Sequence, residues 1–377
     1  FKDPQLSRTK EKDLGWISLY GNKLLDKKGI AYEGTILEHL LVQNLVQFFN
    51  VGEHNIIRLE SADWNDGLDM AFERGESVAF MSFYGSNLLK LADIIETLGK
   101  VKGQTTIRIA KELLTLLDSL GKTQVSYDNA QQKRDHLFGK YFSSVQPIVQ
   151  GQTIDVDINA VASDLRHKAH WIVGQIRRQE KISVEYQGKT YQWFNGYYDN
   201  KAMRVEGLHQ GKVRMTLTGQ VFSVMSGMAQ DQEVEAVIES VNKFLKDKKL
   251  GGYRLNTDFG LRHYLDLGRA FGFAYGTKEN GAFFSHMIVM YAYALYSRGF
   301  AREGYEVIQS IYRMAKDTKR SKIYPGIPEY FDSNGQGMYH YLTGSASWLV
   351  LTELTQSFGV RGLGGDLLLS PQLVKEE

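Results

Sequence analysis

Cysteine is absent from this chain of 377 residues. That excludes disulfides, thiolate metal sites and cysteine nucleophiles, and it is consistent with a cytoplasmic protein. Long apolar runs are missing too: none approaches the roughly 18 residues a membrane-spanning helix needs, so no membrane association is expected. Charge of one sign is lacking, because the net charge is only +2 with histidine neutral. No global field therefore directs the chain to nucleic acid. The densest basic cluster, Lys246 to Lys249, is interrupted by Asp247 and reads as a solvated helix end. Neither a Walker-type phosphate loop, a Gly-x-Gly-x-x-Gly turn nor a His-Glu-x-x-His pair occurs, which leaves nucleotide and zinc-protease chemistry without support. There is no Pro/Ser-rich linker or low-complexity block. The amino terminus, Phe-Lys-Asp-Pro, has neither an initiator methionine nor a signal-peptide pattern, so the chain is expected to be cut from something longer.

What is present is helix and aromatic surface. Periodicity at i, i+3, i+4 and i+7 predicts helices near 36–49, 76–98, 105–120, 130–145, 157–180, 220–229, 231–245, 284–298, 301–316 and 344–357. Asn50, Gly99, Gly121 and Gly359 stand where several of them should stop. A hairpin is predicted over 181–193 around a Gln-Gly turn, and a short strand over 212–218. Roughly ten helices joined by Gly- and aromatic-rich loops do not fit a short-loop bundle. They fit an all-α toroid of paired helices whose loops build a cleft at one end. Six hairpins would need about twelve helices, so such a toroid would be incomplete here. The 21 Tyr, 19 Phe, 5 Trp and 37 Gly suit a sugar cleft, where flat rings stack on pyranose faces, as well as they suit core packing.

Three segments carry chemistry. In Ala62-Asp-Trp-Asn-Asp-Gly67 a polar loop sets acids beside Trp64. Glycoside chemistry needs a carboxylic acid to protonate the departing oxygen, and an adjacent ring both stacks on sugar and raises that acid's pKa by desolvation. The same residues also read as an Asx-turn cluster capping the next helix; a calcium loop is less apt, since regular alternation and a closing Glu are lacking. In Gly272-Phe-Ala-Tyr-Gly-Thr-Lys-Glu-Asn-Gly281, Lys278, Glu279 and Asn280 precede a helix whose first turns hold His286, an arrangement for holding an anion or for simple capping. In the third, Thr343-Gly344 precedes an apolar helix, so Thr343 is either an N-cap alone or a hydroxyl offered with free N–H groups to an oxyanion. Glu329, after a Pro-Gly-Ile-Pro turn, is open to three roles: sugar ligand, base or structural acceptor.

Taken together and in this order, the segments Asp-Trp-Asn-Asp-Gly, Lys-Glu-Asn-Gly-x-x-x-x-His and Leu-Thr-Gly-Ser-Ala resemble glycoside hydrolase family 94, the inverting phosphorylases of β-glucosides. The similarity runs from about residue 34 to Asp366. Trp193 to Asn200, Gly252 to Phe259 and Ile327 to Phe331 look most like the 1,2-β-oligoglucan phosphorylase branch, with the phosphorylase-like end of cyclic β-1,2-glucan synthases second. The resemblance implies an (α/α)6 barrel spanning 1–377 as one catalytic domain. It implies Asp66 as general acid, with Trp64 and Asn65 lining the sugar subsites and Lys278 touching substrate beside the scissile bond. His286, Thr343 and Gly344 would bind phosphate, and Glu279, Asn280 and Tyr330 would line the cleft. No metal or organic cofactor is implied, inorganic phosphate being the co-substrate; the partners are β-glucan or oligosaccharide and phosphate.

The chain also departs from that pattern. An Arg-Asp-Gln-Leu-Gln-Asp-like segment and a His/Trp-rich segment lie upstream of the acid in the family and are not found here. The first barrel helices and the usual N-terminal β-sandwich are accordingly expected to be absent from this chain, and the missing part to belong to the same protein. The expected reaction is inverting phosphorolysis of β-1,2-glucan to α-glucose 1-phosphate. Its rivals are an inverting β-glucan hydrolase with Glu329 as base, a cyclic β-1,2-glucan synthase domain, and a non-catalytic glycan-binding fragment.

Overall fold

The computed structural model describes residues 24–60, 66–121, 125–260, 263–324, 326–341 and 343–375. They are mostly helical with several small sheets, and gather into two compact units, one of the described residues within 1–60 and 87–171 and one of those within 61–86 and 172–377. No helix among them is long and apolar enough to cross a membrane.

The first unit is built on helix Ile36–Phe49, which starts where Thr35 accepts a hydrogen bond from the Glu38 amide at 3.1 Å and ends at Asn50. Its buried face, Leu41, Leu45, Phe48 and Phe49, follows the 3.6-residue period. The helix expected over 105–120 does not form. Thr106–Ala110 is a strand, antiparallel to Thr153–Asp157, and a 3-10 turn over Lys111–Thr115 follows it. The β-branched run Thr105-Thr-Ile-Arg-Ile109 explains the outcome: stiff side chains favour a pleated surface, with Ile109 buried. The helix expected over 130–145 does form, but widens from Ala130–Arg134 into π-type turns over Asp135–Phe142.

Inside this unit sits an ionic cluster. Lys168 Nζ bonds Asp118 at 2.7 Å and Asp164 at 2.5 Å, all three side chains being buried. Tyr127 donates to Asp118 at 2.8 Å and Ser119 to Asp164 at 2.6 Å. Lys133 lies close by with its amine 3.5 Å from the Trp171 ring centre and 4.1 Å from that of Phe48, and no hydrogen-bond partner among the described residues. Rings attract an ammonium by about 2 kcal/mol when desolvated, whereas removing it from water costs several. Burial wins, and holds the Lys133 amine well below its usual range.

The second unit centres on helix Ser285–Ser297, buried on almost every side, as expected of a helix apolar all round. It packs against Leu217–Met225, Ala301–Lys316 and Gly344–Thr352. Gly304 permits one of these crossings, since a Cβ there would lie 2.5 Å from the Tyr296 ring. The hairpin Lys181–Tyr186 with Lys189–Phe194 forms as expected; Gln187 and Gly188, at φ 53° and 79°, give the left-handed turn that matches strand twist. Of the expected 212–218 strand, Lys212–Arg214 forms a strand paired with Gly207–His209. Thr216 instead caps the helix that begins at Leu217. Gly99 does not stop its helix, which runs on as Val78–Lys102 to Gly103 at φ 62°.

Candidate active site

The segments singled out in the sequence fall within the second unit, where backbone and side-chain contacts together hold their described residues. Asp66 opens a 3-10 turn, Asp66–Leu68, that lies against the segment around Gly268. A Cβ on Gly268 would sit 2.3 Å from the Gly67 carbonyl and 2.5 Å from the Leu68 nitrogen, so only glycine fits. Met70 donates to the Leu267 carbonyl at 3.0 Å, and Asp69 accepts from the Arg269 amide at 2.8 Å. Asp69 is thereby a structural acceptor that holds the turn. Trp64 and Asn65 lie outside the described residues.

The loop over 272–281 is pinned from within. Asn280 is buried; its amide donates to the Phe273 carbonyl at 2.8 Å and its side-chain oxygen receives Asn256 at 3.3 Å. Asn256 also takes the Gly281 amide at 2.8 Å. Lys278 is thrown into the left-handed region at φ 47°, and its amine lies 4.5 Å from the Phe273 ring centre and 5.8 Å from that of Tyr339. Tyr339 raises the Lys278 pKa chiefly through a side-chain hydrogen bond. Glu279 lines a small cavity of about 30 Å³ whose wall includes Gly67, Leu68 and Phe271. The turn that begins at Asp66, through Gly67 and Leu68, and the 272–281 loop, through Glu279, thus line one cavity.

The third segment meets the second at paired helix starts. His286 is the second residue of helix Ser285–Ser297 and Gly344 the first of Gly344–Thr352. The two are in contact: a Cβ on Gly344 would lie 2.7 Å from His286 Cε1 and 2.9 Å from Nδ1. Thr343 caps the second helix, accepting from the Ser345 amide at 3.2 Å, and the Ser345 hydroxyl donates to Glu329 Oε2 at 3.2 Å. The Ser285 amide bonds the Glu329 carbonyl at 2.9 Å, while the Ser285 hydroxyl is buried without a hydrogen-bond partner among the described residues. Burial lowers the His286 pKa and the Glu329 charge opposes it, so the imidazole is neutral at neutral pH. Tyr330, on the strand Tyr330–Phe331 that pairs with Phe283–Phe284, is buried 5.7 Å from the Tyr339 ring, and burial raises its phenol pKa.

His286, Thr343 and Gly344 are therefore gathered at one place, with Glu329 joined to them through Ser345. Lys278 and Tyr330 meet across Tyr339, and Glu279 faces the turn begun by Asp66. Sequence reasoning missed Ser345, Tyr339 and Gly268. A Gly-Ser after a helix cap was visible for the first, but the left-handed Tyr339, at φ 57°, carries no local signal.

The family model for the glycosyl hydrolase 94 superfamily, catalytic domain, matches residues 13–123 and 168–359, a span that includes all three segments. The chain belongs to that superfamily. A cellobionic acid phosphorylase from Neurospora crassa is 24% identical over 204 residues, which cover 48% of this chain. The matched stretch is 24% of that protein's own length.

Proposed function

We propose that this chain belongs to an inverting glycoside phosphorylase that cleaves a β-glucoside with inorganic phosphate, β-1,2-glucan or oligoglucan being the substrate class. The observation that carries the reading is the contact of His286 with Gly344, where two helix amino termini converge beside the Thr343 cap. Helix starts offer unsatisfied N–H groups and a positive dipole end, which favour an anion. A neutral imidazole adds an N–H donor without the repulsion a second acid would bring.

In this reading Asp66 gives its proton to the glycosidic oxygen as the bond to the anomeric carbon breaks. Phosphate, held by His286, Thr343 and Gly344, attacks that carbon from the opposite face and becomes α-glucose 1-phosphate, while the glucan leaves with the proton. Phosphate is already an anionic nucleophile, so no second carboxylate is required, in contrast to an inverting hydrolase. Lys278, Glu279 and Tyr330 bind the glucosyl unit; Trp64 and Asn65 line the same subsites. The family's helical toroid is part of the same proposal.

The test is product analysis on the full-length protein with β-1,2-glucan. Glucose 1-phosphate formed in proportion to added phosphate is the expected result. Glucan shortening that continues without phosphate and yields glucose would replace the reading with hydrolysis. Glu329 favours that second reading to the extent that its carboxylate adjoins the cradle; Glu329→Gln would then abolish turnover in water.

A further inference from the structure

The second unit holds a larger cavity, of about 880 Å³, that the reaction just described does not use. Its size falls in the range of roughly 300–1,000 Å³ that encloses a small-molecule ligand. Its wall is built from the end of the Gly207–His209 and Lys212–Arg214 ribbon, the 199–204 turn, and residues Asp258, Phe259, Gly260, His263 and Asp266.

The wall is polar and nearly charge-balanced, with four cationic side chains against three aspartates. Two of the aspartates hold their own turns: Asp199 accepts from the Lys201 and Met203 amides at 2.9 Å each, and Asp258 from Gly260 at 2.8 Å. The third, Asp266, is paired with Lys201 at 2.6 Å. Arg214 is braced by the Phe259 carbonyl at 3.4 Å and by His263 Nε2 at 2.9 Å, which must accept and so is unprotonated. Met203 and Leu208, both more than half exposed, add apolar surface to the same wall. Alternating donors, acceptors and small apolar faces fit a neutral polyhydroxylated ligand, since each hydroxyl both donates and accepts and the C–H faces of a pyranose are apolar.

The position of the cavity gives it a role. Phe259 on its wall stacks at 5.2 Å and 12° on Phe271, and Phe271 lines the small cavity shared by Gly67, Leu68 and Glu279. One pair of stacked rings separates the two spaces, and the Asp66–Leu68 turn rests on the segment that runs back to Asp266. A general acid protonates the leaving group, so the departing chain lies on the acid's side of the bond. We propose that the large cavity is a distal glucan subsite, which holds sugars of the leaving chain beyond the one attached to the scissile oxygen. This rests on the assignment of Asp66 as the acid.

The test measures binding apart from turnover. Calorimetric titration of the full-length protein, free of phosphate, compares the disaccharide with the pentasaccharide in β-1,2, β-1,3 and β-1,4 series. In one series the pentasaccharide should bind about tenfold more tightly, and Arg214→Ala should remove that gain. Lys212→Glu, at an exposed position, should reduce it several-fold and guards against misfolding of the arginine variant. No gain in any series, a gain that survives both substitutions, or binding confined to acidic sugars would each overturn the proposal. Should glucose 1-phosphate release fail while the gain and its loss persist, the phosphorylase reading falls and the subsite stands.

Discussion

One cluster of ionisable side chains in each unit makes a useful contrast, because the two stand in opposite settings. In the first, Lys168 is enclosed by Asp118 and Asp164, and Lys133 by Phe48 and Trp171, so the charges face only protein. In the second, His286, Glu329 and Lys278 are half-buried, the first in the opening turn of a helix and the other two in loops. Burial of charge alone therefore does not mark a site. The proposed site differs in that its titratable groups stand beside glycine and helix termini, as His286 does beside Gly344.

The strongest way to break this comparison is at the acid. Asp66→Asn should lower turnover on glucan by a factor on the order of 10²–10⁴, with a smaller loss on a nitrophenyl glucoside, whose leaving group needs little protonation. Equal losses on both substrates would count against the acid role. In the first unit the corresponding cut is Lys168→Met, which strands two buried aspartates. It should cost about 3–5 kcal/mol in chemical denaturation while leaving the phosphate KM of the folded fraction unchanged. A shifted KM would mean that this cluster is not confined to packing.

Smaller effects sharpen the contrast. His286→Ala and Gly344→Ala should each raise the phosphate KM about tenfold and change the glucan KM far less. The glycine variant acts through its Cβ, which would lie 2.7 Å from His286 Cε1. The smallest effect expected is a gain. The folded chain keeps Lys133 deprotonated below its ordinary pKa of 10.5, so the unfolded chain binds the extra proton and stability falls as pH falls from there toward the folded pKa. Lys133→Met should stabilise by on the order of 1 kcal/mol at neutral pH, and the gain should shrink as pH rises toward 10 in thermal melts. A gain independent of pH would assign the effect to packing instead of charge.

The sequence made much of the helical frame legible because core-facing positions recur at the helical period; helix Ile36–Phe49 begins at its Thr35 cap and ends at Asn50 as expected. It misled where local preference competed with that period, as in the β-branched run ending at Ile109. Gly99 misled for another reason: a Cβ there would meet Ile158 at 2.8 Å, so the glycine serves a close contact inside the helix and not its end. In the candidate site, His286 and Thr343 were readable as helix-start residues. Ser345 bonding Glu329 and Tyr339 beside Lys278 were not, because each joins residues remote in the chain or depends on a backbone angle that side-chain chemistry does not encode.

Gly268 has a consequence for how this site can change over generations. No other residue fits against the Gly67 carbonyl, so the acid turn and the strip it rests on cannot drift apart one substitution at a time. In a library that varies every position and selects for turnover, Gly268 should be depleted about as severely as Asp66, and Gly344, whose Cβ would meet a side chain and not backbone, less so. If the large cavity is the distal subsite proposed above, new specificities would arise there, where most of the wall is side chain and can change while the backbone is left as it is.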